Sequence, residues 1–144
     1  MKIKFKNIDK VKRRNNARKK DLDQIVKRAT TRSALLVKAY AQEQIQRGVA
    51  TGNPRPDGSI ASGPGEFPKT DTGNLVNNIS TQTKTEGTTV IGMIISSAEY
   101  SKHLEFGTRN MAARPFMQPS LDRNANKIKG IFVKEGLIKK RGRN

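Results

Sequence analysis

The chain has 144 residues, 33% of them apolar, with no cysteine, one histidine and a formal net charge of +17. That length fits one domain with a modest core, and counting glycine while leaving out tyrosine raises the apolar share only to about 40%, below the ~45–50% usual for globular domains. Zero cysteines exclude disulfides, thiolate zinc sites and cysteine nucleophiles, and a lone histidine argues against a histidine metal cage or a paired-histidine mechanism.

The first twenty residues form a basic N-terminal segment, with ten Lys/Arg against Asp9. Within it "KIKF" alternates charged and apolar residues, which predicts a short strand, and Ile8 and Val11 open a weak helical turn. The segment lacks the apolar run of a secretory signal, and no stretch of the chain approaches the ~20 apolar residues of a membrane span. From Asp21, Leu22, Ile25, Val26, Ala29, Leu36 and Tyr40 recur at three- and four-residue intervals. This predicts a long amphipathic helix to about Arg47, stopped by Gly48.

Residues 48–69, "GVATGNPRPDGSIASGPGEFPK", hold four of the six prolines and five glycines. No regular element fits them, and the expectation is a functional loop or one disordered until bound. In "TDTGNLVNNIS", Thr70, Asp71 or Thr72 can cap a short helical turn that points Leu75 and Ile79 inward. "ISTQTKT" and "TTVIGMIIS" then carry the β-branched enrichment of strands, joined by Glu86-Gly87 as a hairpin. Gly92 marks either a bulge or a close backbone approach. Tyr100 and Leu104 lie four apart on a short helix that Gly107 terminates. Pro119 suits the first turn of a last helix, in which Leu121, Ala125, Ile128 and Phe132 repeat until Gly136. The expected fold is α+β: a long amphipathic N-terminal helix packed on a small antiparallel β-sheet, with a short helix and a C-terminal helix, in one domain spanning 1–144.

Residues 21–122 are nearly neutral, with eleven Lys/Arg against ten Asp/Glu, whereas residues 123–144 hold eight cations against Glu135. The basic C-terminal tail, 137–144, completes a neutral body with two basic ends. Such ends imply a polyanionic or acidic partner, and Lys10, Lys12, Arg13, Arg14, Lys139, Lys140, Arg141 and Arg143 are its candidate contacts.

The densest chemistry lies in "HLEFGTRNMAARPFMQP", residues 103–119. His103, Glu105 and Arg114 in one stretch raise the question of catalysis, but the nearby hydroxyls of Ser101, Thr108 and Ser120 lack any recognisable nucleophile setting. The structural reading is a clamp. Pro115 biases Arg114 toward extended geometry, Arg114 returns to Glu105 as a bidentate ion pair, and Phe106 and Phe116 cover the pair. There is no phosphate-binding glycine loop and no dinucleotide fingerprint, so no catalytic, cofactor or metal residues are assigned.

"PGEFPKTDTGNLVNNIS" followed by "YSKHLEFGTRNMAARPFMQPSL" resembles the tail-completion, or neck, family of long-tailed bacteriophages. The matching positions are Thr72, Gly73 and Leu75 in the first block. In the second they are Tyr100, Glu105, Phe106, Gly107, Thr108, Arg114, Pro115, Phe116 and Pro119. The resemblance implies a non-enzymatic virion protein that forms a homohexameric ring at the head–tail junction or tail end, through a clamp and ring interface built from those residues. It implies as partners copies of the chain itself, connector or head-completion proteins, and the tail tube or tail terminator protein, with non-specific contact to phage DNA and no membrane. It implies no cofactor, and a place in the virion neck or tail after assembly in the host cytoplasm. The alternatives are a basic nucleic-acid-binding scaffold, against which the neutral body argues, and a small nuclease, against which the scattering of its acidic residues argues.

Overall fold

The structure, a computed structural model, describes residues 8–137, with side chains from Arg13 onward. The predicted strand "KIKF" and the cations Lys139, Lys140, Arg141 and Arg143 lie outside the described residues.

One helix organises the rest. α1 runs from Ile8 to Arg47, 40 residues without a glycine or proline, and so is about 60 Å long at 1.5 Å per residue. The weak turn expected at Ile8 and Val11 and the helix expected from Asp21 are one continuous helix. Residues 8–20 contain no glycine or proline and hold seven lysines and arginines, so propensity carries the helix through a stretch with little apolar periodicity. Every residue from Arg13 to Gln24 is exposed. This part of α1 is an overhang, and the buried face begins only with Ala29, Ser33, Ala34, Val37, Ala41 and Ile45.

Two structures cover that buried face. The first is a hairpin of β1 (Ile79–Glu86) and β2 (Thr89–Ser96), which pair antiparallel with Ile79 opposite Ser96 and Glu86 opposite Thr89. Its register shows no bulge, so Gly92 answers to the other expectation. A Cβ there would lie 2.9 Å from Thr30 Cγ2, and the glycine lets α1 and β2 close together. The Thr31 and Thr83 hydroxyls pair at 2.9 Å across the same contact.

α4 (Met117–Lys134) forms the second cover and runs antiparallel to α1. Near its start, Arg123 donates to the Tyr40 hydroxyl at 3.3 Å. Just past its end, Glu135 accepts from Arg28 at 2.6 Å and Arg32 at 2.9 Å. Pro119 lies in its first turn as expected. Between the covers, the four-residue α2 (Asn74–Asn77) brings Leu75 and Val76, and the turn that leads into α3 (Ser101–Phe106) brings Ala98, to a core completed by Ile45, Ile79 and Phe116. Gly73, at φ 79°, precedes α2, and neither Thr70 nor Asp71 caps it. Thr72 Oγ1 accepts only a long bond, 3.4 Å, from the Asn74 N–H.

The loop 48–69 departs most from expectation. It has no regular element, yet it is fastened at several points to the fold and to itself. Glu66 accepts the Thr51 hydroxyl at 2.6 Å and the N–H groups of Thr51 and Gly63 at 3.1 and 2.7 Å. Arg55 donates to the carbonyls of Lys69 and Thr70, and Lys69 Nζ reaches the carbonyls of Gln46 and Gly48 at the end of α1. Charged side chains capturing backbone groups replace the ladder that proline and glycine deny this segment.

Candidate functional site

The stretch from Ser97 to Ser120 turns back on itself around α3. Gly107 ends that helix at φ 74°, and a Cβ at this position would sit 2.9 Å from both Ala113 N and Met111 O, so the turn requires glycine. Thr108 and Met111 exchange backbone hydrogen bonds at 2.8 and 3.3 Å to close the turn. The Arg114 N–H then donates to the Leu104 carbonyl at 2.7 Å, which returns the chain alongside α3.

Glu105 and Arg114 do not form the expected ion pair. Glu105 Oε2 accepts the N–H groups of Phe116 and Met117 at 2.8 and 3.0 Å, and Oε1 accepts that of Gln118 at 3.0 Å. Three donors left open by the start of α4 therefore converge on one carboxylate from α3, where its charge also opposes the helix dipole. Arg114 turns the other way, and its Nε donates to the Ser62 carbonyl at 3.0 Å in the long loop. Its charge helps hold Glu66 below the ordinary carboxylate range, after the larger effects of the Thr51 hydroxyl and the Gly63 and Thr51 N–H groups. The clamp is thus two clamps back to back. Glu105 holds α4, and Arg114, with the Gly65 N–H bonded to the Ala113 carbonyl at 2.8 Å, holds the loop. A helix start with three free N–H groups outcompetes a guanidinium for a carboxylate that can reach it, and the sequence alone does not show that α4 begins within that reach.

The aromatic cover also divides. Phe116 is buried at 1% exposure, whereas Phe106 is 81% exposed and covers nothing. His103 is exposed, so His103, Glu105 and Arg114 face three different surroundings.

α3 separates two clefts that sort the expected residues. Thr72, Gly73, Leu75, Tyr100 and Arg114 line a polar cleft of about 450 Å³ between α3 and the long loop. Glu105, Phe106 and Phe116 line an apolar groove of about 490 Å³, together with Val37, Ile94, Met117 and Leu121. Gly107, Thr108, Pro115 and Pro119 line neither, and they shape the connection between α3 and α4. Of the basic candidates, Arg13 and Arg14 stand exposed on the α1 overhang, and Lys10 and Lys12 precede them on its first turns. Sequence reading missed Glu66 and Glu135, although each is conspicuous: Glu66 is one of two acids in the long loop, and Glu135 is the only acid among the last 22 residues.

The family model described as "Bacteriophage HK97-gp10, putative tail-component" matches residues 9–107, more than half of the chain. The chain belongs to this HK97-gp10-like family. The protein is therefore a bacteriophage tail component. The matched span takes in α1, the long loop, the hairpin and α3, with Thr72, Gly73, Leu75, Tyr100, Glu105, Phe106 and Gly107. Arg114, Pro115, Phe116 and Pro119 lie beyond it. No curated protein and no solved structure matches the chain significantly.

Proposed function

We propose that this HK97-gp10-like tail component is a tail-completion subunit that closes into a ring, homohexameric by the family resemblance, at the head–tail junction or tail end. The observation that carries the reading is Phe106, 81% exposed on the lip of an apolar groove whose opposite wall holds Leu121 at 43%. A phenylalanine so exposed beside apolar surface is characteristic of a protein contact, since aromatic residues concentrate at the cores of interfaces. The carboxylate and guanidinium of the same stretch are spent on holding backbone in place, which suits a scaffold. The ring would meet connector or head-completion proteins on one side and tail tube or terminator protein on the other, in the neck of the virion. Native mass spectrometry of the purified chain tests this, with a closed oligomer expected and its loss on Phe106→Asp. A chain that stays monomeric at every concentration and in the presence of tail tube protein overturns it.

A second reading has its own support. Arg13, Arg14, Arg18, Lys19 and Lys20 are all exposed on one helical overhang, a surface suited to phosphate contact without base preference. Salt-sensitive binding of duplex DNA by the isolated chain, lost when these five are neutralised, would favour it.

A further inference from the structure

The hairpin leaves one edge open over an apolar cleft. Ser97 N–H donates to the Asn78 carbonyl at 2.9 Å, continuing the register of β1 and β2. Hydrogen-bonded pairs alternate along an antiparallel ladder, so Ile95, Met93 and Ile91 turn their main-chain groups toward β1. Val90, Gly92, Ile94 and Ser96 turn theirs to the far edge. There, among the described residues, the sheet ends at two strands and none of the four has a main-chain partner outside the hairpin. Beneath that edge lies a cleft of about 240 Å³, floored by Ala34 and Val37 of α1 and walled by Leu121, Ile128 and Phe132 of α4. The neighbouring groove adds a buried Ser96 Oγ that has no hydrogen-bond partner. Unpaired strand edge, apolar floor and an unsatisfied hydroxyl lie side by side.

The sequence holds a segment shaped for it. In residues 2–6, "KIKFK", Ile3 and Phe5 fall on one face of an extended chain and Lys2, Lys4 and Lys6 on the other. Added to β2, such a strand would set Ile3 and Phe5 against Leu121, Ile128 and Phe132, with lysine stems lying over the exposed Ile95. Its own copy cannot supply it. Gly92 packs against Thr30, and 22 residues of α1 between Ile8 and Thr30 span about 33 Å, whereas the seven residues before Ile8 reach at most about 25 Å fully extended. By this reach the occupant is a neighbouring copy's segment.

We infer that residues 2–6 of one copy add as a third strand to the open edge of β2 in the next copy, filling the cleft between β2 and α4. The inference rests on the ring reading and names its joint. A heterologous contact of this kind closes into a ring when its rotation is right, and the three lysines on the added strand discourage a further strand from pairing beyond it.

The chain has no cysteine, so the joint can be probed by cross-linking. Variants carrying Leu121→Cys with Ile3→Cys or Phe5→Cys are treated with a short bis-maleimide, and native mass is measured on the same samples. The expected result is a ladder of covalent multimers up to the size of the native assembly, absent from each single-cysteine control. Ile3→Asp with Phe5→Asp should raise the concentration for half-assembly by about tenfold or more while the far-ultraviolet spectrum of the subunit stays unchanged. Closed assemblies without a ladder, or with cross-links only inside one chain, overturn the strand exchange and leave the ring reading standing. A chain that neither assembles nor cross-links overturns both.

Discussion

The Glu105 carboxylate accepts the Phe116 N–H at 2.8 Å and, through the same side chain, the N–H groups of Met117 and Gln118. Phe116 stands where a helix usually carries a serine, threonine or aspartate as its own cap, and it cannot serve as one. Its ring is instead buried in the core, so one residue packs while a second, eleven positions earlier, closes the helix start.

Glu105→Ala should therefore cost about 2–3 kcal/mol, the scale of charge-assisted bonds to otherwise orphaned donors. Glu105→Gln keeps one acceptor oxygen and should cost clearly less. Urea denaturation measures both. An alanine variant as stable as the parent would show that α4 starts well without its partner.

Arg114 and His103 should separate cleanly. Arg114→Ala removes the bond to the Ser62 carbonyl and a cation near Glu66, for a loss of about 1–2 kcal/mol. The free subunit should then be cut by protease between residues 48 and 69, where the parent resists. Exposed His103→Ala should stay within about 0.5 kcal/mol of the parent. If His103→Ala alone abolished assembly in a well-folded protein, the structural reading of this stretch would fail.

Much of this fold can be read from the sequence, because periodicity reports which face an element buries. Leu75 and Ile79, the hairpin around Gly87 and the amphipathic part of α1 all follow from spacing. The overhang does not, since lysine and arginine form helix without an apolar stripe and periodicity is silent there. The long loop is only half legible for a related reason. Its glycines and prolines signal the absence of a ladder, but not that Glu66, Arg55 and Lys69 bond its backbone groups in the ladder's place. At the clamp, residue types single out Glu105 and Arg114, but the ion pair expected between them does not form, and each holds a different stretch of backbone. What each holds depends on the three-dimensional approach of α4 and Ser62, which sequence spacing does not encode.

Acid should loosen the molecule at two identified places. Arg28, and then Arg32, hold the Glu135 carboxyl below the ordinary glutamate value of 4.5, and the Thr51 and Gly63 donors do the same for Glu66. A carboxyl whose folded pKa is lowered binds its proton more weakly when folded. Its contribution to stability is thus full above about pH 4.5 and is lost as pH falls through the folded value. The urea midpoint should fall below pH 4.5, with a shallower fall in Glu135→Gln and in Glu66→Gln. An unchanged acid profile in the double variant would place the acid sensitivity elsewhere.

The two basic ends hold nearly all of the net charge, and the body between them is close to neutral. In a ring these charges gather around one annulus, where repulsion acts over about 8 Å at physiological salt unless opposite charge meets it. DNA in the lumen could supply that charge, but each phosphate neutralised adds binding that slows sliding, a poor property for a channel through which a genome passes. Acidic surfaces on adjoining rings carry no such penalty. Deleting residues 137–144, or neutralising Lys10, Lys12, Arg13 and Arg14, should therefore weaken head–tail joining, most strongly at low salt, where the removed charges are least screened. The fold should survive the second change, because Arg13 and Arg14 lie on the exposed overhang of α1. Joining assayed by electron microscopy, with genome retention measured beside it, separates the two partners. Normal joining with abnormal retention or ejection of DNA would turn the basic ends toward the genome.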